Sequence, residues 1–260
     1  ESMNINNIIK HLKDNIIVYL MCGITLLLII SFCNLDTKRF NNRLRDIDYI
    51  SSNNVSYSKE ITLDNINTSS YNLMIVAHPD DESFWGSREL YNKKYLVVCI
   101  TCGTDSNRID EFKETMNFTN DDYIMLGYVD LDNGRKSDWQ LEYKYIEEDI
   151  NKVLFSKDWE MVLTHNPEGE YGHIHHKLTN KIVTENSNKE NLYYFGRFYH
   201  NDIPEGLNRL TNEEYEFKKN ILVGIYKSQR HVFDDFEYMT YYEDVIKYDR
   251  WFNEQNKEYS

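Results

Sequence analysis

At 260 residues the chain has room for one generous domain or two small ones. Its 43 acidic against 29 basic residues give a formal net charge of -14, which speaks against the basic face that nucleic-acid binding needs. Four cysteines are too few for a disulfide scaffold at this length.

Residues 1–15 read as an N-terminal tail. Ile16 to Cys33, "IIVYLMCGITLLLIISFC", carries no charged residue and has the length of a membrane-spanning helix. A cleaved signal peptide has a shorter apolar core and a small-x-small site, which "ISFCNLD" lacks, so 16–33 is expected to be a transmembrane signal anchor. Lys38, Arg39, Arg43 and Arg45 follow it, against Lys10 and Lys13 before it. The positive-inside rule then places the remainder of this single-pass membrane protein on the cytoplasmic side. Residues 34–70 are polar, rich in Asn and Ser and without a period. They are expected to form a stalk, or an irregular segment lying on the domain, that leads into one domain over 71–260.

From Tyr71 onward, apolar runs of strand length alternate with helical patterns. "YNLMIVAH", "KYLVVCITC", "DYIMLGY", "WEMVLTHN" and "NLYYFGRFY" read as strands. Between and after them, "SFWGSRELYNK", "RIDEFKETMNF", "LEYKYIEEDINKVLF", "GHIHHKLTNKIVTEN" and the long "NEEYEFKKNILVGIYKSQ" read as helices. This alternation predicts an α/β fold: a Rossmann-like, mostly parallel sheet with helices on both faces. Cys99 and Cys102 form a C-x-x-C within a strand, where residues three apart face opposite sides, so neither a zinc knuckle nor a redox pair is expected.

In such a sheet, ligands bind beyond the carboxyl ends of the strands. Three polar clusters fall there: His78 to Glu82 after the first strand, "TCGTDSNR" after the second and "THNPEGEYGH" after the fourth. Zinc and related ions take imidazole nitrogen and carboxylate oxygen, and a catalytic site keeps one position open for water. His78 and Asp81 lie on a turn that can aim both inward. His173 and His176 are three apart at a helix start and share a face, with His175 pointing elsewhere. Two histidines and one aspartate make a three-ligand set, and a carboxylate left over can take a proton from water. The plainer alternative is that Asp80 or Asp81 merely caps the following helix.

"AHPDDE" followed by a later "GHxxH" resembles the PIG-L/LmbE-like zinc de-N-acetylases, over about residues 71 to 230. "TCGTDSNRIDE" with its R-x-x-E, "MLGYVD" with its LG-x-x-D and "YKSQ" are similar to further stretches of that family. The resemblance implies that His78, Asp81 and His176 bind zinc, with ferrous iron as the alternative occupant. It implies that Asp80 is the general base, that His173 polarises or protonates the reacting amide, and that Tyr171 helps stabilise the oxyanion. Arg108 would bind substrate, facing phosphate or polar sugar groups, although Arg108–Glu111 could equally be a helix-surface ion pair. Glu82 would orient a ligand. His165 and His231 carry no assigned role.

The expected function is removal of acetyl from an N-acetylglucosamine-type substrate, lipid-linked as in N-acetylglucosaminyl-phosphatidylinositol, which suits a membrane anchor. One alternative is an LmbE-like deacetylase of a soluble N-acyl sugar conjugate or glycan, since "THNPEGEYGHIHH" looks nearer the bacterial branch. Another is a non-catalytic, metal-stabilised sugar-binding domain, which has no use for a spare carboxylate beside the ion. No G-x-G-x-x-G follows the first strand, so a nucleotide-binding dehydrogenase is disfavoured.

Overall fold

The structure is a computed structural model that describes residues 10, 13–53, 55–58, 61–132, 135–200 and 203–258. The chain divides into two units, Glu1–Asp48 and Tyr49–Ser260.

Helix α1 spans Ile16–Asn53, and its described apolar side chains, as far as Phe40, are exposed: Ile17 is 70%, Leu27 68% and Phe32 67% exposed. The hydroxyls of Thr25 and Thr37 donate back to Met21 O and Cys33 O, so these polar groups need no partner outside the helix. By length and composition Ile16–Arg43 can cross a membrane, and a signal sequence meets the same test. The helix does not end at residue 33. Nothing between Asn34 and Asn53 is Pro or Gly, so the first half of the expected stalk continues as helix. The second half is no free stalk either: Ile61 and Leu63 are buried, and Ser56–Tyr57 (β1) pairs antiparallel with the sheet.

Among the described residues that sheet has seven strands, in the order β1, β4 (Asp122–Tyr128), β3 (Tyr95–Thr101), β2 (Asn72–Val76), β7 (Met161–Thr164), β8 (Leu192–Phe195) and β9 (Val245–Lys247). The five strands read from the sequence are β2, β3, β4, β7 and β8, and all run parallel. Every residue of β3 is buried, as a strand covered on both faces must be, which is why these runs lack polar alternation. The two edges, β1 and β9 (Val245–Lys247), are antiparallel and too short to leave a sequence pattern. Leu131–Asp132 and Arg135–Lys136 pair separately as β5 and β6.

Helices α2 (Asp81–Asn92), α3 (Ser106–Thr119), α4 (Tyr143–Leu154) and α5 (Ile174–Asn186) occupy the connections between strands. From β2 the chain goes to β3 on one side and later returns to β7 on the other. The carboxyl end of β2 is therefore the switch point where an open α/β sheet forms its crevice. The expected long last helix is broken. Helix α6 (Asn212–Lys219), held by a Thr211–Glu214 capping box, gives way to a π-helical stretch, Asn220–Ile225. Tyr226 N bonds Ile221 O across that wider turn, and the Tyr226 side chain ends fully buried. Buried Lys218 donates to Phe84 O and Glu243 Oε1, and Glu243 also accepts from Ser87 and Arg88, which fastens α2 to the C-terminal segments.

Candidate active site

The first wall is the turn leaving β2. Pro79 fixes one backbone angle, Asp81 N bonds His78 O at 3.3 Å, and His78 N donates to Asp81 Oδ2 at 2.8 Å. Asp80 is forced to φ 107°, a region that L residues rarely adopt and that costs energy to hold. Its peptide is gripped from both sides: Arg108 Nη2 donates to Pro79 O, and Asp80 N donates to Glu82 Oε2 at 3.0 Å. Glu82, expected to orient a metal ligand, instead holds this backbone, because it is buried against Ser83 Oγ and Tyr226 Oη, which donate to its Oε1 at 2.6 and 2.8 Å.

Asp80 occupies the N-cap position of α2, but its side chain makes no capping bond and lies 3.5 Å from Arg108 Nη2. Burial pushes its carboxyl up to about 7, with the Arg108 guanidinium pulling the other way. Burial also lifts Glu82 to about 7, against the hydrogen bonds from Ser83 and Tyr226.

The second wall follows β7. Asn166 Oδ1 accepts from Glu168 N and Glu170 N, while Gly169, Glu170 and Gly172 all take positive φ, coiling the chain back toward the sheet. His173 is the N-cap of α5, and its Nδ1 accepts from His175 N at 3.2 Å. In the neutral ring Nε2 therefore carries the hydrogen. Burial, then His176 and His78, hold His173 down to about 2, so the ring is neutral.

Between the walls, imidazole nitrogens face a carboxylate. His176 Nδ1 donates to Glu170 Oε2 at 2.6 Å, which leaves the Nε2 lone pair buried without a hydrogen-bond partner, 3.2 Å from Asp81 Oδ1 but outside hydrogen-bond alignment. His78 Nδ1 lies 3.1 Å from Asp81 Oδ2. Ligand atoms of His78, Asp81 and His176 all fall within 4.8 Å of one another. Two imidazole nitrogens and a carboxylate around an orphaned lone pair fit a zinc or ferrous ion. Burial alone would push His78 down, but the Asp130 and Asp81 carboxylates outweigh it and raise it to about 9. The negative charge that holds a proton on His78 is what a divalent cation would neutralise. Burial works against the ionised Asp81 too, yet His176 and His165 keep it well below the usual carboxylate range.

His165, Glu170 and His176 form another close group. Both nitrogens of His165 are already engaged, Nε2 accepting from Ala77 N and Nδ1 donating to Glu170. His165 thus supports the floor of the site. His78, Asp80, Asp81, Arg108, Tyr171 and His173 line a cavity of about 470 Å³ that His231 also borders, while His176 lies fully buried. A larger cavity, about 630 Å³, shares the Trp85 wall but holds none of these residues.

The structure corrects the placement of His175. It is buried with Nδ1 3.0 Å from His78 Nε2. His173 and His176 do come together, their rings 4.6 Å apart, but His173 has φ -63° and ψ 130°, an extended cap outside the helix, so helix-face spacing does not place His175 relative to it. Asp130 and Glu170 are site residues that residue-by-residue reading passed over. Asp130 closes the quoted "LGYVD" and lies 3.4 Å from both His78 Nε2 and His175 Nδ1. Arg108 does not pair with Glu111, which instead accepts from Ser228 N and Oγ of "YKSQ".

Residues 73–187 match the family described as PIG-L: GlcNAc-PI de-N-acetylase. An uncharacterized protein of Acanthamoeba polyphaga mimivirus is 39% identical over 140 residues, 47% of this chain. The match spans 60% of that relative's length. Among solved structures, the A40926 pseudoaglycone deacetylase Dbv21 is 16% identical with a TM-score of 0.50, over 70% of this chain and 99% of its own. A deacetylase–teicoplanin complex from teicoplanin biosynthesis is 16% identical with a TM-score of 0.51, over 67% and 96%. At such identities the likeness establishes the fold. The resemblance carried by AHPDDE and GHIHH is thus matched by the family model over residues 73–187, on an α/β sheet like that of these solved deacetylases.

Proposed function

We propose that the chain is a metal-dependent de-N-acetylase that hydrolyses the acetamide of an N-acetylglucosamine-type sugar to acetate and a free amine. The observation that carries this reading is the buried His78, Asp81 and His176 set, flanked in one cavity by Asp80 and His173. His78, Asp81 and His176 would hold the ion, which when bound supplies the positive charge that polarises an amide carbonyl and makes water more acidic. Asp80, with a carboxyl raised to about 7, is suited to take the proton from the attacking water near neutrality. The Nε2–H of His173 donates toward the reacting amide, and the amine departs as it gains a proton. Burial keeps the Tyr171 hydroxyl protonated, so it can donate to the oxygen on which charge develops. Arg108 Nη1 is buried at the cavity without a partner and suits a polar or anionic group of the sugar.

In this reading α1 anchors the chain as a single-pass membrane protein with the catalytic unit on the cytoplasmic side, and the acceptor is lipid-linked. Metal analysis and acetate release from lipid-linked and soluble N-acetylated amino sugars test it. The purified chain should carry a stoichiometric divalent metal. Asp80→Asn should retain the metal while losing about 10²- to 10⁴-fold in rate, the usual worth of a positioned base. Wild type without metal, or Asp80→Asn releasing acetate as fast as wild type, would sink the reading.

A further inference from the structure

We propose that His175 is a positioning residue that fixes which nitrogen of His78 faces the cation, an inference resting on the metal centre proposed above. His175 Nε2 lies 2.7 Å from the carbonyl oxygen of Ser137. A carbonyl only accepts, so Nε2 carries the hydrogen and the neutral ring presents a lone pair at Nδ1. That lone pair lies 3.0 Å from His78 Nε2, and Asp130 Oδ1, a second acceptor, lies 3.4 Å from the same atom. His78 Nε2 must therefore supply the hydrogen. Its other nitrogen, Nδ1, is hydrogen-bonded to Asp81 Oδ2 at 3.1 Å, so a cation arriving on that side, from which His176 Nε2 approaches Asp81 Oδ1 at 3.2 Å, would displace the Nδ1 hydrogen and leave the one on Nε2.

The orientation of His175 is itself fixed. Trp139 stacks on its ring at 4.3 Å with an interplanar angle of 4°, and the side chain is fully buried. The relay mirrors the one on the other ligand, where Glu170 takes the Nδ1 hydrogen of His176 and leaves Nε2 bare. Each histidine ligand is thus set by a partner on its far side, as metal-binding imidazoles generally are. Here one partner is a carboxylate and the other is a histidine, itself oriented by a backbone carbonyl.

The test uses the full chain and zinc alone, with affinity measured by competition with a chromogenic chelator, so that no substrate is required. His175→Ala should weaken zinc by about 10- to 100-fold, the usual effect of removing such an outer partner. His175→Asn, whose side-chain oxygen can accept near the Nδ1 position, should recover most of that loss. Ring-nitrogen NMR of histidine-labelled, zinc-loaded wild type should show His78 protonated at Nε2 and bound through Nδ1, a signature a merely structural role would not produce. Equal zinc affinity in wild type and a folded His175→Ala would overturn the proposal. So would a His78 Nε2 without its hydrogen, or a second zinc taken up at that nitrogen. Wild type that binds no zinc at all would instead remove the metal centre on which the proposal depends.

Discussion

The turn after β2 packs His78, Asp80, Asp81 and Glu82 into the single stretch 78–82, whereas the segment after β7 spreads His165, Glu170, His173, His175 and His176 along a coiled loop and a helix start. The first wall is held by residues from elsewhere in the chain, Arg108 on Pro79 O and Tyr226 on Glu82. The second is held mainly from within, by Asn166, Glu170 and residues at positive φ. The difference maps onto chemistry. Burial of the first turn, with Asp81 and Glu82 beside it, raises the Asp80 carboxyl to about 7 against the pull of Arg108, where a base would be useful. The self-supporting loop contributes fixed lone pairs and a neutral histidine.

Breaking the internal bracing of the second wall should have the largest effect. Glu170→Gln removes the charge from a carboxylate whose Oε2 accepts from both His165 and His176 and whose Oε1 accepts from Asn166 N, so the amide must turn its NH2 toward one of these donors. Zinc affinity measured by chelator competition should fall by about 10- to 100-fold. Unchanged affinity would mean that His176 is held by packing alone.

A smaller effect is expected where the same loop coils. Gly169 has φ +71°, and an added Cβ would stand 2.7 Å from His173 O. Gly169→Ala should cost about 1–2 kcal/mol from the left-handed backbone, with the contact adding to it. Urea denaturation measures this directly, and a variant as stable as wild type would show that the loop is not what holds the second wall.

The smallest effect sharpens the account of the first wall. Asp80 must be ionised to accept a proton, so kcat/KM should rise with pH through its pKa and level off above it. The guanidinium of Arg108 favours the ionised carboxylate. Arg108→Gln should therefore move the acid limb to higher pH, by about one unit. A bound cation lowers the midpoint in both proteins, so the comparison rests on the shift between them. An acid limb that stays in place would separate Arg108 from the base.

The contrast between the walls also explains what was legible in the sequence. The first wall is contiguous, so AHPDDE announced itself at the end of an apolar run. The parallel strands were visible for the same reason, being continuous buried stretches. The two edge strands, only two and three residues long, carry too little pattern to be read. The break at Asn220 was hidden because a π turn preserves helical composition while changing the spacing. In the second wall, helical periodicity misled. His173 precedes the helix, and a rule for helix faces cannot place a residue in an extended cap. Asp130 and Glu170 stood inside quoted stretches, "LGYVD" and "NPEGEYGH", yet an isolated acidic residue in an Asp-rich chain gains meaning only when a histidine nitrogen is found beside it.

The backbone of Asp80 carries a consequence for the evolution of the chain. At φ 107° a glycine would sit there without steric penalty, and no residue with a useful side chain would. The position proposed to supply the base is thus one where selection for stability and selection for turnover would pull in opposite directions. Drift in a lineage released from the reaction should settle first on glycine at residue 80, leaving a sturdier fold with an intact set of cation ligands and no proton acceptor.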